Sequence, residues 1–205
     1  DQGRKTRDGP VSRNLNRPVS QWLSCYLVRT TVTPNQISLI SWLLSCVAAG
    51  LMALSGYPAL AAGGALAQLA SVIDGCDGEI ARLKHSESEF GGWFDAVLDR
   101  YADALLLFGL TWHAYASGPP RDVVLVMGFL AIIGSFMNSY TADKYDSLMK
   151  AKFSKGKGIR IGRDVRILLI FVCAVCNLPL VGLIVLAILM NVETVRRVVV
   201  CYRNE

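Results

Sequence analysis

From Thr30 to Ile73 the chain carries no Asp, Glu, Lys or Arg in 44 consecutive residues. A membrane-spanning helix needs about 20 apolar residues. The stretch therefore predicts two spans, turned at Ser55-Gly56-Tyr57-Pro58. Composition agrees: 53% of the 205 residues are hydrophobic, 18% are charged and the mean hydropathy is +0.40. A soluble domain is about a quarter charged. These values exclude a disordered chain or a nucleic-acid-binding tail, and they weigh against a water-soluble enzyme. The net charge of +5 then speaks of topology rather than of nucleic acid.

The first span is expected to open with Thr33 as N-cap and Pro34 at the first helical position. The second runs from near Pro58 into the acidic cluster at Asp74. A third follows Gly91-Gly92 and reaches about Ser117, where Gly118-Pro119-Pro120 breaks it. A fourth runs from about Asp122 to Tyr145, ahead of a basic segment, Lys144 to Arg166. Ile167 to Val192 is a last apolar stretch of 26 residues, which Asn177-Leu178-Pro179 divides into a hairpin. With six spans, 20 of the 21 Lys and Arg fall on one side and only Arg121 lies opposite. By the positive-inside rule that side is cytoplasmic and holds both termini. The fold class is thus all-α: a polytopic membrane protein of six transmembrane helices within about residues 33–200, preceded by an amphipathic helix at about 18–29. There Val19, Trp22, Leu23, Tyr26 and Leu27 recur at helical spacing between Arg17 and Arg29, as in a helix lying in the cytoplasmic interface. The alternative is that this helix packs on the bundle.

A charge inside a membrane helix is costly and marks function by default. Asp74 and Asp77 stand i, i+3 near the cytoplasmic end of the second span. Asp95 and Asp99 stand i, i+4 near the cytoplasmic start of the third. Each pair lies on one helix face, and a short connection makes the two helices antiparallel neighbours. Four facing carboxylates repel one another strongly and need positive charge among them. Arg82 and Arg100 serve in part; hard divalent cations such as Mg²⁺, Mn²⁺ or Ca²⁺ serve better. Two such ions bridged by carboxylates would clamp a phosphoryl group. Gly78 and Gly91 suggest close approach of a ligand to the backbone, with small-residue helix packing the equal alternative.

The run Asp74-Gly75-Cys76-Asp77-Gly78-Glu79-Ile80-Ala81-Arg82, then eight residues, then Gly91-Gly92-Trp93-Phe94-Asp95-Ala96-Val97-Leu98-Asp99 fits D-x2-D-G-x2-A-R-x8-G-x3-D-x3-D. It resembles the signature of the CDP-alcohol phosphotransferases, and the Thr33-Pro34-Asn35 opening is similar too. The resemblance implies attack of an alcohol on a CDP-linked alcohol, giving a phosphodiester and CMP. It implies Asp74, Asp77 and Asp95 as ligands of Mg²⁺ or Mn²⁺, two ions per site, with Asp99 as a further ligand or the catalytic base. It implies Asn35, Gly78, Ala81, Arg82 and Gly91 as the nucleotide site, and a homodimer. Asp103, one turn beyond the motif, reads either as a group that supports the ligands from behind or as an outlying polar contact, the latter favoured.

The segment Lys144 to Arg166 carries eight basic residues. A solvated loop explains them, but the glycine-interleaved stretch around Lys157, Arg160 and Arg163 suits the phosphate of a phosphorylated acceptor. The run Asp8-Gly9-Pro10-Val11-Ser12-Arg13-Asn14-Leu15-Asn16-Arg17 resembles the junction in bifunctional enzymes that fuse an inositol-1-phosphate cytidylyltransferase to a di-myo-inositol-phosphate phosphate synthase. That resemblance implies CDP-inositol as donor and inositol 1-phosphate as acceptor. Residues 1–17 then form a cytoplasmic segment or linker from an upstream domain, and 18–205 the membrane domain. The start at Asp1 rather than Met agrees with this expectation, and no signal-peptide pattern opens the chain. A phosphatidyltransferase using CDP-diacylglycerol is the alternative, and a divalent-cation transporter a remote one, since the carboxylates gather at one membrane face. Cys173 and Cys176 form one C-x2-C within an apolar stretch, too few ligands for a zinc site. No role for nucleic acid is expected.

Overall fold

The computed structural model describes residues 11–152 and 162–203. Among these residues every element is helical. A π-helical turn, Ser12–Asn16, leads into α1 (Arg17–Leu27), followed by α2 (Pro34–Ala53), α3 (Tyr57–Leu83), α4 (Glu89–Ala116), α5 (Arg121–Lys152), α6 (Arg163–Val175) and α7 (Pro179–Arg203). Local chemistry sets the boundaries. Thr33 and Gln36 form a capping box at the start of α2, with Pro34 in the first turn. Ser88 caps α4, accepting a hydrogen bond from the Gly91 N–H at 3.0 Å. Gly56 and Gly118, both at φ +102°, turn the chain before α3 and before α5. Asn177, at φ +56°, ends α6 before Pro179 opens α7. The expected hairpin is therefore present, although α6 has only 13 residues. Helix α5, the expected fourth span, runs seven residues past its expected end, into the basic segment.

Among the described residues three helices are long and apolar enough to cross a membrane: Pro34–Ala53, Tyr57–Leu83 and Arg121–Ala142. The outward surface is rich in large apolar side chains, such as Ile40 and Val47 on α2, Phe108 on α4, Phe129 on α5 and Ile188 on α7. A monomer in water rarely shows so much contiguous apolar area. The inward side is mixed. Met52, Leu60, Leu106, Leu110, Leu186 and Met190 belong to one buried cluster, while Ser38, Ser41 and Ser45 are buried along one face of α2.

The expectation that α3 and α4 pack as antiparallel neighbours needs correction. Helix α2 packs extensively on both, and α3 and α4 touch only slightly. Glycines make this arrangement possible. A Cβ on Gly63 of α3 would lie 2.7 Å from the Ala48 carbonyl oxygen, and one on Gly109 of α4 would lie 2.5 Å from that of Ala49. Both close approaches are to α2. On α4, His113 Nδ1 lies 3.0 Å from the Met52 carbonyl oxygen and 3.1 Å from that of Leu54, binding the free end of α2.

Helix α1 packs on α3 with its polar side inward. Ser20 and Ser24 donate to the Glu79 carboxylate at 2.9 and 2.6 Å, and Arg17 pairs with it. Glu79 is 1% exposed. The apolar stripe read from the sequence is divided. Leu23 and Leu27 pack against Ile37, Cys76 and Ile80, while Val19, Trp22 and Tyr26 point outward, Trp22 66% exposed.

Candidate active site

The packing of α2 between α3 and α4 sets one end of three helices around a common space. Along α2, Ser38 and Ser41 share a face with the acidic pair on α3 at matching spacing. Ser38 Oγ donates to Asp77 Oδ2 at 2.5 Å and Ser41 Oγ to Asp74 Oδ1 at 2.8 Å. The Gly78 N–H also bonds Asp77 Oδ1. From α4, Asp95 and Asp99 complete the group. Asp74, Asp95 and Asp99 each offer a carboxylate oxygen within 4.8 Å of the others. The four carboxylates thus converge as the spacing implied, by way of α2 rather than by direct packing of α3 on α4.

The internal cation comes from another element. Helix α6 packs on α3 and delivers Arg163 from its first turn. Nη1 of Arg163 donates to Asp74 Oδ2 at 2.6 Å and pairs with Asp99 Oδ1 at 2.5 Å. Its Nε lies 3.4 Å from Asp103 Oδ1. Asp103 is buried and held by Arg166, whose Nη2 donates to Oδ2 at 2.6 Å. Arg166 in turn donates to the Ser135 carbonyl at 3.0 Å and to Ser139 Oγ at 3.0 Å. Asp103 is therefore wired into the site rather than outlying. Arg163, grouped by sequence with Lys157 and Arg160, stands inside the carboxylate cluster. Lys157 and Arg160 lie outside the described residues.

The donor set fits a hard divalent cation. Its candidate ligand atoms are carboxylate oxygens backed by serine hydroxyls, the kind that Mg²⁺ and Mn²⁺ prefer. Asp95 Oδ1 is buried without a hydrogen-bond partner, so this oxygen has a lone pair that no protein donor uses. Asp74, Asp77, Asp95, Asp99 and Asp103 gather in one region, and so dense a set of carboxylates favours a bound cation.

Beside the cluster opens a cleft of about 200 Å³. Asn35, Gly78, Ala81, Arg82 and Gly91, the five residues expected at a nucleotide, all line it, together with Ser38, Asp77 and Asp95. A Cβ on Gly91 would lie 3.0 Å from Ser88 Oγ and 3.1 Å from Asn35 Oδ1, and one on Gly78 would lie 3.3 Å from Arg82 Nη1. These two glycines keep space inside the cleft. Helix-to-helix packing falls instead to Gly63 and Gly109.

Sequence reasoning missed the serines, the Asp103–Arg166 pair and the Glu79 anchor. The serine spacing at 38, 41 and 45 was a readable signal, since one polar face on an otherwise apolar helix must meet polar partners. Arg166 carried no such signal, because its partner lies 63 residues away.

Comparison with known proteins places these features in context. The pattern of the CDP-alcohol phosphatidyltransferase family matches residues 31–199. A bifunctional IPC transferase and DIPP synthase of Rubrobacter xylanophilus is 38% identical over 96% of this chain and 43% of its own length. A protein of the same description from Aquifex aeolicus is 34% identical over 97% of this chain and 45% of its own. The chain thus spans less than half of these relatives. An archaetidylinositol phosphate synthase of Pyrococcus horikoshii is 32% identical over 82% of both chains. Among solved structures, the phosphatidylinositol phosphate synthase of Mycobacterium tuberculosis with CDP-DAG bound superposes with a TM-score of 0.70, over 90% of this chain and 92% of that one, at 23% identity. The same enzyme in complex with manganese and citrate gives 0.69.

Proposed function

The chain belongs to the CDP-alcohol phosphatidyltransferase family, and we propose that it is a multi-pass membrane transferase joining a CDP-linked alcohol to a second, phosphorylated alcohol with release of CMP. One observation carries this reading: Asp74, Asp95 and Asp99 gather within reach of one ion, and Asp77 and Asp95 also line the cleft that holds Asn35, Gly78, Ala81, Arg82 and Gly91. The cleft takes the cytidine nucleotide, with Asn35 and Arg82 as its polar contacts. Asp74, Asp77, Asp95 and Asp99 hold divalent metal, two ions of Mg²⁺ or Mn²⁺. Bound there, such ions supply neutralisation of the pyrophosphate and of the charge developing on the leaving CMP. The acceptor oxygen bonds to the β-phosphorus, the bond from that phosphorus to the bridging oxygen breaks, and the electron pair leaves with CMP. Asp99 receives or orients the hydroxyl proton. Lys157 and Arg160 attract the acceptor's phosphate, whereas Arg163, expected beside them, is engaged by Asp74 and Asp99.

The donor we favour is CDP-inositol and the acceptor inositol 1-phosphate, giving di-myo-inositol phosphate phosphate. Support comes from similarity over almost the whole chain to the bifunctional IPC transferase and DIPP synthases. An upstream or partner cytidylyltransferase would supply the donor, with residues 1–17 as the linker to it and 18–205 as the membrane domain. Helices α2 to α7 form six spans with both termini and the site on the cytoplasmic side, and the protein acts as a homodimer in the cell membrane. A second reading keeps the chemistry and changes the donor to a CDP-linked lipid. Its support is the apolar outer surface and the similarity to archaetidylinositol phosphate synthase over most of both chains.

The deciding experiment is CMP release by purified protein with Mg²⁺ and inositol 1-phosphate, offered CDP-inositol or CDP-diacylglycerol. Turnover with CDP-inositol is expected. Turnover with the lipid donor alone selects the second reading, and no CMP from either overturns the reaction.

A further inference from the structure

Arg163 stands between two sets of carboxylates. Its Nη1 serves Asp74 and Asp99 at 2.6 and 2.5 Å. Its Nε lies 3.4 Å from Asp103 Oδ1, within ion-pair range but without a hydrogen bond, and both of these buried atoms lack a hydrogen-bond partner. A buried donor and a buried acceptor left unmade are unfavourable. The site thus holds an unused second place for the same guanidinium, just beyond bonding distance. That second place is rigid. Arg166 pins Asp103 from the far side and is itself pinned by Ser135 and Ser139 on α5.

The first place overlaps the oxygens that suit a divalent cation. Asp74 and Asp99 belong to the trio whose oxygens lie within 4.8 Å of one another, and Nη1 sits against both. A guanidinium and a divalent cation cannot share those oxygens without strong repulsion at such range.

We infer that Arg163 is a tethered cation with two seats. It balances Asp74 and Asp99 when no divalent cation is bound, and it moves onto Asp103 when one binds. This rests on the reading of the acidic cluster as a metal site. It gives Asp103, which the signature does not include, a positioning role: its carboxylate accepts the displaced guanidinium. Metal affinity then measures the competition, because the ion must displace Arg163 and Asp103 lowers the cost of displacement.

The test is Mn²⁺ binding to the purified chain in detergent, followed by electron paramagnetic resonance of the free ion and without substrate. Arg163→Gln is expected to bind Mn²⁺ about tenfold more tightly than the unaltered protein, and Asp103→Asn several-fold more weakly. In the Arg163→Gln background, Asp103→Asn is expected to have little further effect, since no guanidinium remains to be seated. Arg100→Gln removes the same charge beside Asp99 and sets the size of a plain electrostatic effect; it is expected to be smaller than that of Arg163→Gln. Without metal, Arg163→Gln should melt at lower temperature, and added Mn²⁺ should restore it. Unchanged or weaker binding by Arg163→Gln overturns the inference and leaves the metal reading standing. So does an Asp103→Asn effect that persists in full in the double variant. Absence of Mn²⁺ binding in every form overturns both.

Discussion

Asp99 sits on α4 one turn before Asp103, and its Oδ1 pairs with Arg163 at 2.5 Å. A side chain so placed serves the reaction as an acceptor of the hydroxyl's hydrogen or as its orienter. Asp99→Asn keeps size and hydrogen-bonding shape but loses the negative charge. It is expected to lower kcat by 10² or more while the CDP-alcohol still binds with nearly normal affinity, as measured by competition with labelled CDP. Equal loss of binding and rate would remove that role. Ser41 is a subtler case. Its hydroxyl fixes Asp74 at 2.8 Å from a neighbouring helix, in the way that outer partners orient metal ligands. Ser41→Ala should weaken Mn²⁺ binding about tenfold, with the fold intact by circular dichroism. Unaltered affinity would make the hydroxyl a packing contact only. At this scale much was legible: spacing put each Asp pair on one helix face, and the five residues that the family resemblance implied line one cleft beside them. The serines and Arg166 were not, because each acts through a partner on another helix.

Helix α1 shows how an element presents two faces to two surroundings. Its buried side is Arg17, Ser20 and Ser24, closed on Glu79 of the signature helix. Its outward side is Val19, Trp22 and Tyr26, the amphipathic aromatics that favour a membrane interface. The polar side inward inverts the pattern of a soluble helix. Glu79 leaves α3 on the side of α1, while Asp77 opens onto the cleft. Glu79→Gln removes the carboxylate charge that Arg17 pairs with, and breaking a buried pair in this way costs about 3–5 kcal/mol. A lower melting midpoint in detergent is expected, and Arg17→Gln in the same protein should recover part of it. A melting point unmoved by Glu79→Gln would show that α1 is held by its leucines alone. The division of the α1 stripe was not legible in the sequence, because period alone does not say which side meets lipid and which meets protein.

The whole molecule raises the question of sidedness. Among the described residues three helices meet the length and apolarity of a span outright. Helix α4 carries Asp95 and Asp99 of the site, and α6 and α7 form a hairpin around Asn177. Six spans put the hairpin turn outside and the end of α7 inside. Cys176 lies at that turn and Cys201 near the end of α7, both as free thiols. In intact cells, a membrane-impermeant thiol reagent should label Cys176 and leave Cys201 unlabelled until the membrane is opened. Labelling of both from one side would overturn the six-span topology.

Charge and periodicity alone determined much about this protein. A 44-residue uncharged run cannot leave its apolar surface in water, so membrane helices follow from the hydrophobic effect and the length of a span. Acidic pairs at i, i+3 and i, i+4 must share a helix face, so the two halves of the site follow from helix geometry. Thr33-Pro34 and Asn177-Leu178-Pro179 marked a start and a turn through capping and the conformational limits of proline and asparagine. Only the tertiary structure decided that α2 stands between α3 and α4, because glycines at 63 and 109 set how closely helices approach and no local rule assigns them a partner. It also decided that Arg163 stands among the carboxylates, arriving from α6 across 89 positions of sequence from Asp74. A pairing over that distance depends on how helices pack, and it leaves no periodic trace in the chain.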